Sequence, residues 1–219
     1  MIAEQLVSNT IVPLRTSDTG EEALSIMGDF YIRHLPIVNN LQLLGLVSED
    51  DILEYDVEEA IGSYSLSLYR PFVRNTDHIY EVMRKMAEGE LTVIPVVDAD
   101  DNYVGLVALE DLLQYFAQML SFREQGTILV LETNKHDYSL SEIARIVESE
   151  GSLIMSSFIT TDAYSTKVEV TIKINARYIQ NIIATFSRFD YTIKASYNES
   201  DYLETLQERY DSLMNYLNV

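Results

Sequence analysis

The fold is decided by residues 34–38, HLPIV, and residues 45–53, GLVSEDDIL, because this pair of segments occurs twice. The second copy reads VIPVV at residues 93–97 and GLVALEDLL at residues 105–113. Each copy has a proline inside an apolar run, a glycine that opens a second run, and an aspartate near its end, at Asp51 and Asp111. Self-similarity of this kind indicates that one supersecondary unit is used twice.

The repeat extends upstream of the prolines, where residues 15–27 match residues 74–86. Leu24 and Met27 are three positions apart, as on one face of a helix. Each copy therefore predicts a helix, a buried strand, a tight turn, a second buried strand and a second helix. Asp18 and Asp77 precede the first helix of each copy, where an aspartate can accept from free N–H groups, and we expect both to act as caps.

This arrangement resembles the CBS domain, and the two copies resemble the tandem module in which two such domains pack as a pseudo-symmetric disc. The resemblance covers roughly residues 7–120. It implies a cleft for an adenosine nucleotide, in which Asp51 or Asp111 accepts hydrogen bonds from the ribose hydroxyls. Hydrogen bonds to an ionised carboxylate are among the stronger ones, and free N–H groups at a helix start suit a phosphate.

The two copies differ where the clefts are expected. Ser48 at one helix start corresponds to Ala108 at the other, and Arg33-His34 corresponds to Thr92-Val93. The sequence therefore favours the first cleft as the nucleoside site, with the alternative that both aspartates only cap helices. The candidate ligand-binding residues are Arg33, His34, Leu35, Pro36, Ser48 and Asp51 in the first copy, and Ile94, Pro95 and Asp111 in the second.

The net charge of the chain limits which ligands and which partners we expect it to bind. The chain of 219 residues has a formal net charge of −20, which opposes binding to nucleic-acid phosphates. The same charge repels ATP unless Mg²⁺ accompanies it, whereas AMP or the cationic S-adenosylmethionine is repelled less. The ligand is left open among AMP, ADP, ATP with Mg²⁺ and S-adenosylmethionine, and no tightly bound cofactor is expected.

Beyond residue 122 the pattern changes to that of a second kind of domain. Strands are predicted at residues 127–131, 152–160, 168–174 and 191–197, with one helix after the first strand and one after the third. This βαββαβ order is the ferredoxin-like arrangement. It resembles the ACT domain, a module that often binds amino acids and pairs its sheets into dimers. Residues 134–138 lack the glycine usual in amino-acid-binding members, so a dimerisation or docking role is favoured.

The predicted architecture is α/β, more closely α+β, with four parts. These are CBS repeats at 1–62 and 63–122, an ACT-like domain at 123–198, and an amphipathic helix at 199–219. The last part has leucines and a tyrosine alternately three and four apart, and it packs either on its own domain or on a partner. The combination resembles the acetoin-utilisation regulatory protein family.

Other functions find no support in the sequence. There are no cysteines, the three histidines lack metal-ligand spacing, and residues 98–109 depart from a calcium loop because Tyr103 replaces its glycine. No nucleophile elbow or phosphate-binding glycine motif is present, so we expect no catalysis and no metal site. No apolar stretch approaches membrane-spanning length, so we expect no membrane association and a cytoplasmic protein.

The resulting hypothesis is a non-catalytic regulatory sensor. An adenosine-containing ligand binds between the CBS repeats and biases their packing, and a homodimer interface or a regulated partner protein receives that change. One alternative is an assembly module with empty clefts. Another is a dual sensor whose ACT-like domain binds an amino acid.

Overall fold

The computed structural model describes residues 1–65, 69–198 and 216, and the chain divides into two compact units, Met1–Phe116 and Ala117–Val219. The elements of the first unit are α1 (Gly20–Asp29), β1 (His34–Asn39), β2 (Gln42–Ser48), α2 (Glu49–Leu53), β3 (Val73–Arg74), α3 (Ile79–Glu88), β4 (Val93–Val97), β5 (Tyr103–Ala108) and α4 (Leu109–Met119). The last of them, α4, continues into the second unit. A short 3-10 helix, Ala3–Leu6, precedes α1 and another, Ile61–Ser63, follows α2.

The two hairpins of this unit have matching registers. In β1–β2, His34 pairs with Ser48, and in β4–β5, Val93 pairs with Ala108, so the residue before each second helix lies opposite the start of a proline strand. Both hairpins are antiparallel, and β3 adds to β4 in parallel. Strands from both copies contribute to one buried core, as expected of short apolar runs. The predicted repeat of helix, two strands and helix is confirmed.

The predicted caps of α1 and α3 are wrong by one residue. Thr19 Oγ1 accepts from the N–H of Glu22, and His78 Nδ1 accepts from the N–H of Tyr80. Asp18 and Asp77 instead accept from the backbone N–H groups of Arg15 and Arg74, at 2.8 and 2.9 Å. Each aspartate therefore closes the turn before its helix, through one of the local side-chain-to-backbone patterns that aspartate adopts.

The second unit has the βαββαβ order. Its elements are β6 (Thr127–Asn134), α5 (Leu140–Ser149), β7 (Ile154–Thr161), β8 (Lys167–Ile174), α6 (Gln180–Arg188) and β9 (Thr192–Asn198). The sheet order is β7-β8-β6-β9 with every neighbouring pair antiparallel, which confirms the predicted ferredoxin-like fold. Alternate residues of β6 and β8 are buried and form a core with the apolar sides of the two helices.

Two sequence predictions are not addressed by these elements. The predicted C-terminal helix at 199–219, with Leu203, Leu206, Tyr210, Leu213 and Leu217, falls almost wholly outside the described residues. The domain boundaries at residues 62, 122 and 198 stay predictions. Within the described part of the chain, no helix combines the length and apolarity needed to cross a membrane.

Candidate functional site

The side chains of Ser48 and Asp51 cap the N-terminus of α2. Ser48 Oγ accepts from the N–H of Asp51 at 3.1 Å, and Asp51 Oδ2 accepts from the Ser48 N–H at 2.9 Å and from the Ser48 hydroxyl at 2.6 Å. This reciprocal capping box satisfies free donors of the first turn. The Asp51 carboxylate thus already accepts two hydrogen bonds from Ser48 at Oδ2.

Arg33 further encloses the start of α2. Its guanidinium lies 3.1 Å from Asp50 Oδ2 and 3.6 Å from Glu49 Oε2, while its backbone carbonyl accepts from the Glu49 N–H. Both ion pairs are exposed and contribute little stability individually. Their consequence is positional, because they hold the cation beside Glu49 and Asp50, the two carboxylates that precede Asp51 in α2.

The corresponding helix start in the second copy is open. Ala108 has no hydroxyl, and the Asp111 carboxylate makes no hydrogen bond or ion pair to any residue in the described part of the chain. The N–H of Leu109 donates to the carbonyl of Thr92 at 2.9 Å, which matches the bond between Glu49 and Arg33. The two copies therefore share a backbone arrangement, but Asp111 keeps both carboxylate oxygens free of hydrogen bonds within the described residues, whereas Asp51 keeps only Oδ1.

Asp111 lines a cavity of about 440 Å³, within the range typical of small-molecule sites. Three other segments complete the walls. Residues 8–11 are held beside β5 by hydrogen bonds in both directions between Ser8 and Leu106, and the remaining walls come from the end of α1 and from Thr92. The lining residues are Ser8, Thr10, Ile11, Phe30, Tyr31, Ile32, Thr92, Ala108, Leu109, Glu110, Asp111 and Leu113.

The chemistry of this cavity suits a nucleoside better than a polyphosphate. Apolar and aromatic side chains, among them Phe30 and Ile32, can contact a flat ring, and the Asp111 carboxylate can accept from hydroxyl groups. Glu110 and Asp111 add negative charge, and no lysine or arginine is among the described residues that line it. The cavity therefore favours a neutral or cationic ligand over one that carries several phosphates.

His34 connects the two copies. Its Nδ1 lies 3.0 Å from Thr92 Oγ1 and accepts from the Thr92 N–H at 3.3 Å, while Thr92 Oγ1 accepts from the Arg33 N–H at 2.9 Å. Since Nδ1 faces an N–H donor, the neutral ring carries its proton on Nε2. Burial, together with the charge of Arg33, lowers the pKa of His34, and the carboxylates of Asp50 and Asp51 oppose that effect. His34 thereby positions Thr92, which lines the Asp111 cavity.

The apolar members of the predicted site lie deeper. The side chains of Leu35 and Ile94 are 0% exposed and belong to the core, and the prolines beside them are also buried. Their side chains therefore pack in the core and do not line the cavity at Asp111.

The sequence does not predict several of the residues that line the cavity at Asp111. Ser8, Thr10, Phe30 and Tyr31 lie outside the repeated motif, in the segments that flank α1. Tyr31 adopts a left-handed backbone with φ 53° directly after the helix, a conformation that a tyrosine in the sequence does not signal.

The second unit has a cavity of its own, of about 380 Å³. It lies where β6 leads into α5 and α6 leads into β9, and it is polar. Lys167 lines it beside the carboxylates of Glu132, Asp137 and Glu142, so both signs of charge are present. Among the described residues, no group of acidic or histidine side chains has the arrangement of a metal site.

Comparison with known proteins identifies the first unit. The family model described as CBS domain matches residues 3–58 and 69–118, one match for each copy of the repeat. Residues 3–118 therefore hold a tandem pair of CBS domains, and such pairs are regulatory ligand-binding modules.

Individual relatives are distant. Inosine-5'-monophosphate dehydrogenase from Methanocaldococcus jannaschii is 22% identical over 153 residues, 68% of this chain and 30% of that protein. This chain spans less than half the length of the curated relatives that it matches.

Among solved structures, a CBS domain pair/ACT domain protein from Thermotoga maritima is 24% identical, with a TM-score of 0.49 over 55% of this chain and 99% of that one. CBSX2, solved in complex with AMP, is 20% identical, with a TM-score of 0.46 over 53% of this chain and 96% of that one.

Proposed function

We propose that this chain is a regulatory sensor, without catalysis of its own, that binds an adenosine-containing ligand in the cavity at Asp111. The observation that carries the proposal is a carboxylate at a helix start, free of hydrogen bonds within the described residues, beside a cavity of about 440 Å³. Two ribose hydroxyls can donate to such a carboxylate, and hydrogen bonds to a charged group contribute about 1.5–3 kcal/mol each. The matching aspartate of the first copy, Asp51, already accepts two hydrogen bonds from Ser48 at one of its oxygens, Oδ2.

The ligand class follows from the lining of the cavity. Glu110 and Asp111 repel phosphate groups, and the cavity offers no compensating cation among its described lining residues. We therefore expect adenosine and S-adenosylmethionine to bind more tightly than AMP, and AMP more tightly than ATP. Mg²⁺ improves ATP binding by reducing its charge.

Ligand binding regulates by favouring one packing of the two CBS repeats over another. The ligand shifts the equilibrium only to the extent that it binds one arrangement more tightly. His34 and Thr92, which join the two copies, are placed to respond, because Thr92 borders the cavity. A homodimer interface or a partner protein would receive the change.

Thermal unfolding in the presence of each ligand tests this function. A ligand at one hundred times its Kd stabilises the folded chain by about 2.7 kcal/mol and raises Tm measurably. We expect saturable stabilisation by S-adenosylmethionine and adenosine, and little by ATP without Mg²⁺. No stabilisation by any adenosine compound, in folded and ligand-free protein, would instead favour an assembly module with empty clefts.

The cavity of the ACT-like unit supports a second candidate function, a dual sensor that also binds an amino acid. Lys167, which pairs with Glu132, offers a cation for a carboxylate. Asp137 and Glu142, which already accept from Asn134 and Tyr191, offer further acceptors for an ammonium group. Saturable stabilisation by one amino acid, unaffected by Asp111→Ala and lost in Asp137→Ala, is the expected result for this candidate. Stabilisation by none of the twenty amino acids would contradict it.

A further inference from the structure

The first unit has another cavity, of about 300 Å³, which neither Asp51 nor Asp111 lines. It lies between residues 69–72 and the helix α3. None of its lining residues is among the candidate ligand-binding residues around Asp51 or in the lining of the Asp111 cavity. Its polar character comes from Arg70, Arg84, Lys85 and Glu88, and its aromatic character from Tyr69 and Phe72.

One of the three cations is already neutralised. Arg84 donates to both oxygens of Glu81, at 2.9 and 2.6 Å, and to Glu88 Oε2 at 2.7 Å. These hydrogen bonds raise the pKa of Arg84 and fix its guanidinium along α3. Arg84 is therefore fully engaged by the two glutamates, and the positive charge of the cavity comes from its other two cations.

Those two cations, Arg70 and Lys85, both lie near the aromatic ring of Phe72. The guanidinium carbon of Arg70 lies 5.7 Å from the centroid of Phe72, and the ammonium of Lys85 lies 5.6 Å from the same centroid. Lys85 also donates to the Phe72 carbonyl at 2.8 Å and lies 3.6 Å from Glu81, whereas Arg70 has no hydrogen bond or ion pair to any other residue that the structure describes. Each cation gains from the ring, but two positive charges at one ring repel each other.

We propose that this cavity binds an oxyanion, the phosphate or carboxylate group of a small molecule. An oxyanion between Arg70 and Lys85 relieves their mutual repulsion and accepts hydrogen bonds from both. The guanidinium of Arg70 provides a fork for two oxygens, and Lys85 provides a point charge. In a chain with a net charge of −20, this positive cavity is a local exception. The first unit thus has two cavities of opposite preference, one for a neutral or cationic adenosine compound and one for an anion.

Titration of the full chain with inorganic phosphate and, separately, with succinate tests the site. The ring resonances of Tyr69 and Phe72 report binding by nuclear magnetic resonance at low ionic strength, where charge interactions are least screened. Arg70→Gln removes the unpaired cation. Arg15→Gln is the matched control, because it removes the same charge from an exposed residue outside the cavity.

We expect saturable binding of at least one of the two anions by the wild type and by Arg15→Gln. Arg70→Gln should weaken it about tenfold, the loss expected for one charge-assisted hydrogen bond. The anion that binds identifies the oxyanion as phosphate or carboxylate. Absence of saturable binding for both anions overturns the proposal. An equal loss of affinity in Arg70→Gln and Arg15→Gln also overturns it, because binding would then follow net charge alone.

Discussion

The Asp51 carboxylate accepts a 2.9 Å hydrogen bond from the backbone N–H of Ser48 and a 2.6 Å hydrogen bond from its hydroxyl. The equivalent pair, Ala108 and Asp111, has no such hydroxyl, and Asp111 faces a cavity instead. The Ser48 hydroxyl, absent at Ala108, thus gives Asp51 a capping hydrogen bond that Asp111 lacks. On this difference rests our proposal that the ligand binds at Asp111, although the sequence favours the first cleft.

Ala108→Ser should convert the second helix start into a copy of the first. The new hydroxyl can accept from the Asp111 N–H and donate to the Asp111 carboxylate, which stabilises the fold by about 1 kcal/mol, as N-caps do. The same bonds occupy the acceptor that a ribose needs, so ligand affinity should fall. Urea unfolding and calorimetric titration measure the two effects, and unchanged affinity in a stabilised variant would contradict the role given to Asp111.

Ser48→Ala should destabilise the first unit by about 1 kcal/mol, because the first turn of α2 loses its cap. Ser25→Ala is the control, since Ser25 lies on the exposed side of α1 and alanine is a better helix former there. Urea unfolding should show a loss for Ser48→Ala and a change within about 0.5 kcal/mol for Ser25→Ala. Equal effects would mean that the capping box contributes nothing measurable.

His34 should make stability depend on pH. Its pKa is lowered by burial and by Arg33, so below its ordinary value near 6.5 the unfolded chain binds more protons at this residue than the folded chain does. Stability is therefore complete above that value and decreases as pH falls towards the folded pKa. Protonation of Nδ1 would also oppose the N–H of Thr92.

Urea unfolding of wild type and His34→Gln at about pH 7.5 and about pH 5.5 isolates this contribution from that of the carboxylates. The wild type should lose more stability between the two values than the variant does. An equal loss in both proteins would exclude His34 as the source.

Gly105→Ala should destabilise the fold and disturb the ligand cavity. A Cβ at Gly105 would lie 2.5 Å from Val7 Cγ1 and 3.0 Å from the Ser8 carbonyl, so the segment that forms one cavity wall must move. We expect a cost of about 1–3 kcal/mol, typical of an overpacked core. Gly28→Ala is the control, since a Cβ there meets nothing within 4 Å and α1 gains a better helix former. Urea unfolding that ranks the two variants in the opposite order would contradict this packing.

The sequence predicts the fold well because the fold depends on patterns that repeat. The two proline strands and the alternating β8 are recognisable from apolar spacing alone, and the structure confirms both. The details of the site are harder to predict from the sequence, because they depend on which of several hydrogen-bond partners a side chain reaches. Ser48 completes the family motif and so makes the first cleft more promising, but the same hydroxyl engages Asp51. The walls from Phe30 and Ser8 come from segments that fold back on the motif, which no local pattern reveals.

The central claim is that Asp111, and not Asp51, binds the ligand. Calorimetric titration of S-adenosylmethionine into wild type, Asp111→Ala and Asp51→Ala tests it most directly, with unfolding curves to show that all three are folded. We expect one ligand per chain, binding at least about tenfold weaker in Asp111→Ala, and nearly wild-type affinity in Asp51→Ala. Binding that survives Asp111→Ala and is lost in Asp51→Ala would contradict the account and return the site to the first cleft.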